Sequence, residues 1–343
     1  MKLIICQSYL SIPATITFVE KEKDVLIISS NKHTYKFLSE LYNQDKLIFV
    51  QNLKAFFSFN PLRIILNFIF NLKLKNTIKK RFSEFSGHEV YFMIMAFAPA
   101  IVYAVKILSK KNQIFYAPAT KMPESYKRTH HLHAFVKKSI YKLLFNLDTD
   151  SYSNKKLLIL KYNNKFFDLI KAKPFVIEKN ENVLQKVLSA YQGRLKDGIL
   201  LLTGGMTDLG LIDKKSYISV TDSLINRIGE EKLILKLHPR FNAKYSGENK
   251  LQEIDSHIPA NLLLYSFEII IGMQSSTLYE AANAGKCAIS LLKIYPFTND
   301  DYRNNYMNYL IENLEDNKKI YFPECPEELL QIINRQFNNQ TII

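Results

Sequence analysis

Short apolar runs recur along the chain, and most are followed by a stretch of helical periodicity. In the first half the runs are Met1–Cys6, Asp24–Ser29, Lys46–Val50, Tyr91–Phe97 and Gln113–Ala117. In the second half they are Gly198–Thr203, Lys232–Leu237, Leu262–Tyr265, Glu268–Gly272 and Cys287–Leu292. Runs of this length without polar alternation belong to strands buried on both faces, which requires helices above and below a sheet. Helical patterns fall between them, at Thr34–Tyr42, Pro61–Phe82, Pro99–Lys111, Lys214–Gly229, Ser276–Ala284 and Pro326–Phe337. This alternation predicts an α/β chain with parallel sheets. Its 343 residues exceed one ordinary domain. The expected division is a Rossmann-like domain over 1–172 and a second over 183–343, joined across 170–182, where Pro174 interrupts the pattern.

Composition narrows the partners. Hydrophobic residues make up 47% of the chain, and only 10 Gly and 11 Pro are present, so long disordered linkers are not expected. No internal repeat of about 20–50 residues is visible, so a solenoid is not indicated. The formal charge is +14. The basic clusters are short: Lys73, Lys75, Lys79, Lys80 and Arg81, then Lys106, Lys110 and Lys111, then Lys127 and Arg128. No aromatic RNA-binding signature or zinc-finger spacing accompanies them, so nucleic acid is not an expected partner. They suit a solvated surface, a phosphorylated glycolipid or an anionic membrane leaflet. Cys6, Cys287 and Cys325 are odd in number and far apart, as expected of reduced thiols in a cytoplasmic protein. The opening apolar stretch is too short for a signal peptide and reads as a first strand. Pro99 and Lys106 interrupt Val90–Leu108, so that segment reads as a strand and a helix rather than a membrane span. The expected place is the cytoplasm, with a peripheral position on the inner face of its membrane left open.

Three segments concentrate chemistry, and each directly follows a predicted strand of the second domain. Thr203-Gly204-Gly205-Met206-Thr207-Asp208 joins two glycines, which let backbone approach a ligand, to a carboxylate that can act as a base. An Asp in such a loop is also what caps a following helix. Lys236-Leu237-His238-Pro239-Arg240 sets an imidazole at a strand end, with Pro239 biasing His238 away from helix. Gly272-Met273-Gln274-Ser275-Ser276-Thr277 brings three hydroxyls to a helix start, where caps, N–H groups and the dipole can receive a phosphate. An ordinary cap needs one hydroxyl.

Taken in this order, the three segments resemble bacterial sialyltransferases of the GT-B type, nearest to the lipooligosaccharide sialyltransferases and capsule polysialyltransferases. The likeness covers about residues 198 to 292. It implies two Rossmann-like domains facing a central cleft, and an inverting reaction without metal or other cofactor. The implied catalytic residues are Asp208, as base for the acceptor hydroxyl, and His238, as acid or hydrogen-bond donor to the departing CMP. Ser275, Ser276 and Thr277 would hold the donor phosphate, and Gly204, Gly205, Pro239, Gly272 and Asn261 would contact the nucleotide. The chain departs from the family at Leu209, which fills the second acidic position, and at Asn261, which stands where the family has an acidic residue after Pro. The donor is therefore left open among CMP-sialic acid, CMP-Kdo, CMP-pseudaminate and CMP-legionaminate. The implied partners are a CMP-sugar donor and a surface glycan or glycolipid acceptor; oligomerisation is left open.

Two alternatives remain: a GT-B enzyme using a UDP- or other nucleotide-sugar, and a basic protein that binds polyanions or membrane without catalysis. Asp148 and Asp150 form a second acidic pair, which also suits a solvated loop. His130, His131 and His133 lie in a basic stretch with no Cys nearby, a poor setting for zinc, and are left as a candidate for acceptor or phosphate.

Overall fold

The structure, a computed structural model, describes residues 1–7, 11–54, 61–93, 98–117, 127–128, 132–147, 149–153, 158–162, 170–176, 180–191, 198–238 and 245–340. The chain forms two compact units, whose boundary in sequence falls between Val183 and Leu184.

The first unit opens with β1 (Lys2–Cys6), α1 (Ile12–Lys21), β2 (Val25–Ser29), α2 (Lys32–Leu41) and β3 (Leu47–Phe49). It continues through α3 (Pro61–Ser83), β4 (Glu89–Met93), α4 (Pro99–Leu108) and β5 (Gln113–Ala117). A small antiparallel sheet follows, made of β6 (Lys127–Arg128), β7 (Thr149–Ser153) and β8 (Leu158–Tyr162), with α5 (Leu132–Phe145) between its first two strands. The strand β9 (Lys173–Pro174) returns to the main sheet beside β5, so the segment read as linker supplies its last strand. The sequence boundary lies within α6 (Glu181–Tyr191).

The main sheet is parallel, with order β3-β2-β1-β4-β5-β9. Its central strand, Leu3-Ile4-Ile5-Cys6, is wholly buried. Parallel strands need crossovers, and the helices supply them while covering both faces. Leu74, Ile78 and Phe82 on the second half of α3 join Val90, Phe92 and the apolar residues of α4 in one core. Asn71 fixes α3 at the same depth: its amide accepts from Lys54 N at 3.0 Å and donates to Lys54 O at 3.1 Å.

The second unit repeats the plan. It contains β10 (Ile199–Leu202), α7 (Lys214–Ile228), β11 (Leu233–Lys236), β12 (Gln252–Ile254), α8 (Ala260–Leu263) and β13 (Ile269–Gly272). Then come α9 (Ser276–Asn283), β14 (Cys287–Ser290), α10 (Asp300–Glu312), β15 (Ile320–Tyr321) and α11 (Pro326–Gln340). Its parallel sheet runs β12-β11-β10-β13-β14-β15. Counted within each unit, both main sheets have the order 3-2-1-4-5-6, the doubly wound arrangement that reverses direction beside its first strand. The chain is thus α/β with two Rossmann-like parallel sheets, the composition expected of a GT-B chain.

Some elements differ from the sequence reading. Leu262–Tyr265, expected as a strand, lies in α8 and the turn that closes it. Pro259 precedes the helix in an extended conformation, and its carbonyl accepts from Leu262 N at 3.2 Å. A run this short, with Leu262, Leu263 and Leu264 all buried, has no periodicity to separate helix from strand. The strand expected over Tyr91–Phe97 is described as Glu89–Met93, the rest lying outside the described residues. The helices α1, α5, α6 and α10 and the strands β6, β7, β8, β9, β12 and β15 are absent from the sequence reading.

Phe92 is fully buried in the first core. Phe92→Ala should therefore lower unfolding stability by roughly 3–5 kcal/mol, read as a shift of the urea midpoint. A loss under about 1 kcal/mol would mean that this core collapses around the gap.

Candidate functional site

In the second unit, the three segments singled out from sequence follow three neighbouring strands. Leu202 at the end of β10 is aligned with Lys236 at the end of β11 and with Gly272 at the end of β13. The strands end flush, so the loops carrying Asp208, His238 and Ser275 leave from one edge of one sheet. The loops after β10 and β13 flank the point where the strand order reverses. Crevices that hold ligands in such sheets open there, because the chain departs in opposite directions.

Hydrogen bonds tie these loops together. Thr203 N donates to the Lys236 carbonyl at 3.1 Å, and Thr203 Oγ1 accepts from His238 N at 2.9 Å. The backbone of His238 is thereby anchored to the start of the Asp208 loop. The buried Ser290 Oγ donates to the Met273 carbonyl at 3.0 Å, which anchors the loop after β13 to the end of β14. Gly272 presses against β10: a Cβ there would lie 3.1 Å from Leu202 Cβ.

The Asp208 loop is a tight turn. Leu209 N donates to Gly205 O at 2.9 Å and Leu211 N to Met206 O at 2.8 Å, with the Met206 side chain buried beneath. The left-handed residue is Gly210, with φ of 62°, whereas neither Gly204 nor Gly205 has positive φ. The glycine the turn requires is therefore Gly210, and a Cβ on Gly204 would meet only ordinary contact with Met206. Asp208 is exposed. It does not cap the next helix: Asp213 does, accepting from Ser216 N at 3.0 Å. That bond to Ser216 N is the main reason the Asp213 carboxyl is held below the usual range. Among the described residues, no hydrogen bond or ion pair engages the Asp208 carboxylate, which leaves it available to a ligand.

Ser275 is the N-cap of α9, and its Oγ accepts from Thr277 N at 3.2 Å. The ordinary capping role is thus filled. A hydroxyl that accepts in a cap still has its proton to donate. Ser276 is half-buried at the first helical position, while Thr277 is buried with only 4% of its surface exposed. The loop therefore offers the hydroxyls of Ser275 and Ser276, beside the positive end of α9, to an anion. Gln274, just before them, donates to Tyr302 Oη of α10.

Asn261 lies in α8 with 2% of its surface exposed, and its amide donates to Glu280 Oε2 of α9 at 3.5 Å. It braces two helices rather than opening toward solvent. Pro239 and Arg240 lie outside the described residues, as do His130, His131 and Asp148. His133 lies in α5 and Asp150 in β7, both in the first unit. No group of three or more His, Cys, Asp or Glu among the described residues is placed to hold a metal.

Sequence reading missed Lys236. This side chain is 3% exposed at the end of β11. Its Nζ donates to the carbonyls of Leu237 at 2.7 Å and Ser256 at 3.1 Å, bracing the peptide just before His238 against the turn after β12. In that turn His257 Nδ1 pairs with Asp255 Oδ1 at 2.6 Å. A lone Lys in Leu-Ile-Leu-Lys was the available signal, and an apolar strand conceals it. Burial pushes the Lys236 ammonium down to about 8, opposed by the Asp255 carboxylate.

Comparison with known proteins adds little to this geometry. No protein-family profile matches the chain, and no curated protein matches it in sequence. Among solved structures, it is similar to the UDP-GlcNAc 2-epimerase of Methanocaldococcus jannaschii, solved with UDP-GlcNAc and UDP, at TM-score 0.47 and 14% identity, over 97% of this chain and 92% of that one. It is also similar to E. coli ADP-heptose lipopolysaccharide heptosyltransferase II, at 0.41 and 9%, over 99% and 100% of the two chains. A third is Acinetobacter baumannii MurG, at 0.39 and 12%, over 99% and 92%. Superposition at this level carries no ligand or activity across. The doubly wound assignment rests on the strand order itself.

The Lys236 environment sets a pH dependence. A lysine whose folded value lies below its unfolded 10.5 is more protonated in the unfolded chain, so stability rises as pH climbs from about 8 to about 10.5. Relative to Lys236→Met, the wild-type protein should gain on the order of 3 kcal/mol across that interval, measured by denaturant titration at each pH. Parallel pH profiles for the two proteins would show that Lys236 is not perturbed.

Proposed function

We propose that the chain is an inverting glycosyltransferase that moves a sialic acid, or a related nonulosonic acid, from a CMP-sugar to a bacterial surface glycan. The observation that carries this reading is the position of Asp208, His238 and Ser275–Ser276 on loops from the flush ends of three adjacent parallel strands. The order of these residues in the chain, which resembles that of bacterial GT-B sialyltransferases, narrows the donor class.

The chemistry follows from the groups. The Asp208 carboxylate takes the proton of the acceptor hydroxyl as its oxygen attacks the anomeric carbon. The bond from that carbon to the phosphate oxygen breaks, and its electron pair leaves with CMP. The configuration inverts because attack and departure are on opposite faces. Charge grows on the phosphate during this step. Hydroxyl protons from Ser275 and Ser276, the start of α9 and the His238 imidazole meet that charge with donors already in place, which lowers the barrier. His238 gives a proton or a hydrogen bond to the leaving oxygen, and Asp208 later loses its proton to solvent. None of these steps needs a metal ion.

Two experiments test the reading. CMP at about 100 times its dissociation constant should stabilise the protein by about 2.7 kcal/mol, seen as a raised melting temperature. A larger shift with UDP would move the donor to a UDP-sugar, and a lack of response to any nucleotide would remove the transferase reading. In a transfer assay with CMP-linked donors, His238→Ala and Asp208→Asn should each lower kcat by roughly 10²–10⁴-fold while the melting curve stays intact. Unchanged turnover in Asp208→Asn together with a loss in Asp148→Asn would move the base to the first unit.

A further inference from the structure

The first half of α3 departs from ordinary burial. Seven of the twelve large hydrophobic side chains exposed among the described residues lie between Leu62 and Leu72. Leu62 is 63% exposed, and Ile65 and Leu66 are each 57% exposed. A contiguous apolar patch of this kind marks an interaction surface, because water alone leaves it costly.

The geometry of α3 shows which surface is presented. Asn71, Leu74, Ile78 and Phe82 face the core. At 3.6 residues per turn, five of the seven, Leu62, Ile65, Leu66, Ile69 and Leu72, fall on the opposite side, within an arc of about 120°, while Ile64 and Phe68, exposed at 37% and 36%, lie outside that arc. The same arc continues into the exposed Lys73 and Lys80. Lys79 and Arg81 flank it, and the helix contains no Asp or Glu. One rod therefore carries an apolar face at its first end and a cationic face at its second, both turned away from the core.

We infer that this outer face of α3 docks on an anionic lipid bilayer. The apolar end enters the acyl boundary and the basic end lies among the lipid phosphates. The arrangement satisfies both demands of an interfacial helix: apolar area to bury and cations for the headgroups. Charge decides against a second copy of the chain as occupant, because each copy carries a net +14 and would bring the same basic row to the contact. Spanning is not at issue, since no described helix is long and apolar enough to cross a membrane. This inference is independent of the transferase reading.

The chain has no Trp, so one introduced indole reports its own surroundings. Ile69→Trp should show a blue-shifted emission with vesicles of phosphatidylglycerol and phosphatidylcholine, and no shift with phosphatidylcholine alone. Ile311→Trp, at an exposed site in the second unit, should shift with neither. Adding Lys79→Gln and Lys80→Gln to the Ile69→Trp protein should weaken vesicle binding on the order of tenfold or more. These positions are exposed, so melting temperatures should match the wild type. If the mutated proteins melt early, sedimentation of the unaltered protein with the same vesicles at low and high salt gives the answer. Equal binding to both lipid mixtures, or an Ile69→Trp shift that follows protein concentration without vesicles, would overturn the inference; the latter would assign the face to self-association.

Discussion

The backbone ladder joining β10 to β11 on one side and to β13 on the other is the constraint on which the rest of the second unit depends. The three strands are almost wholly apolar, so they can be buried only if their peptide groups are paired and both faces are covered. Pairing fixes the register, with Leu202 level with both Lys236 and Gly272. Once the register is fixed, three loops distant in sequence must leave from one edge. The candidate chemistry is a consequence of where a buried sheet stops.

What keeps those loops in place is a small set of polar groups at the sheet's end. Thr203 holds the backbone of His238, Lys236 holds the peptide before it, and Ser290 holds the loop leading to Ser275. Burying a lysine is costly unless its donors are satisfied, and here two carbonyls serve that purpose. These groups do no chemistry of their own in the proposed reaction. They spare the reacting side chains a search through loop conformations, which is how a rigid framework contributes to catalysis.

The first unit uses the same strand order for a surface of different character. Its core is as apolar as that of the second unit, but α3 spends only its inner side on it. The outer side turns apolar and then basic residues away from the core. Hydropathy along the sequence does not distinguish a helix buried on one side from one exposed there, because both are rich in Leu, Ile and Phe. Burial separates them, and burial is a tertiary quantity.

The sequence by itself determined the α/β class and the alternation of strand and helix. Unbroken apolar runs and helical periodicity are local signals that reflect covalent spacing. It also singled out Asp208, His238 and the Ser275–Thr277 segment, since residue type and strand-end position are visible in the chain. It did not determine which hydroxyl caps α9, that Asp213 rather than Asp208 starts α7, or that Gly210 rather than Gly204 takes the left-handed turn. Nor did it reveal the helix at Ala260–Leu263, or Lys236 as a buried brace. Each of these depends on which groups meet across the fold, and the tertiary structure alone decides that, because a hydrogen bond or a buried contact needs a partner whose distance in the sequence does not give its distance in space.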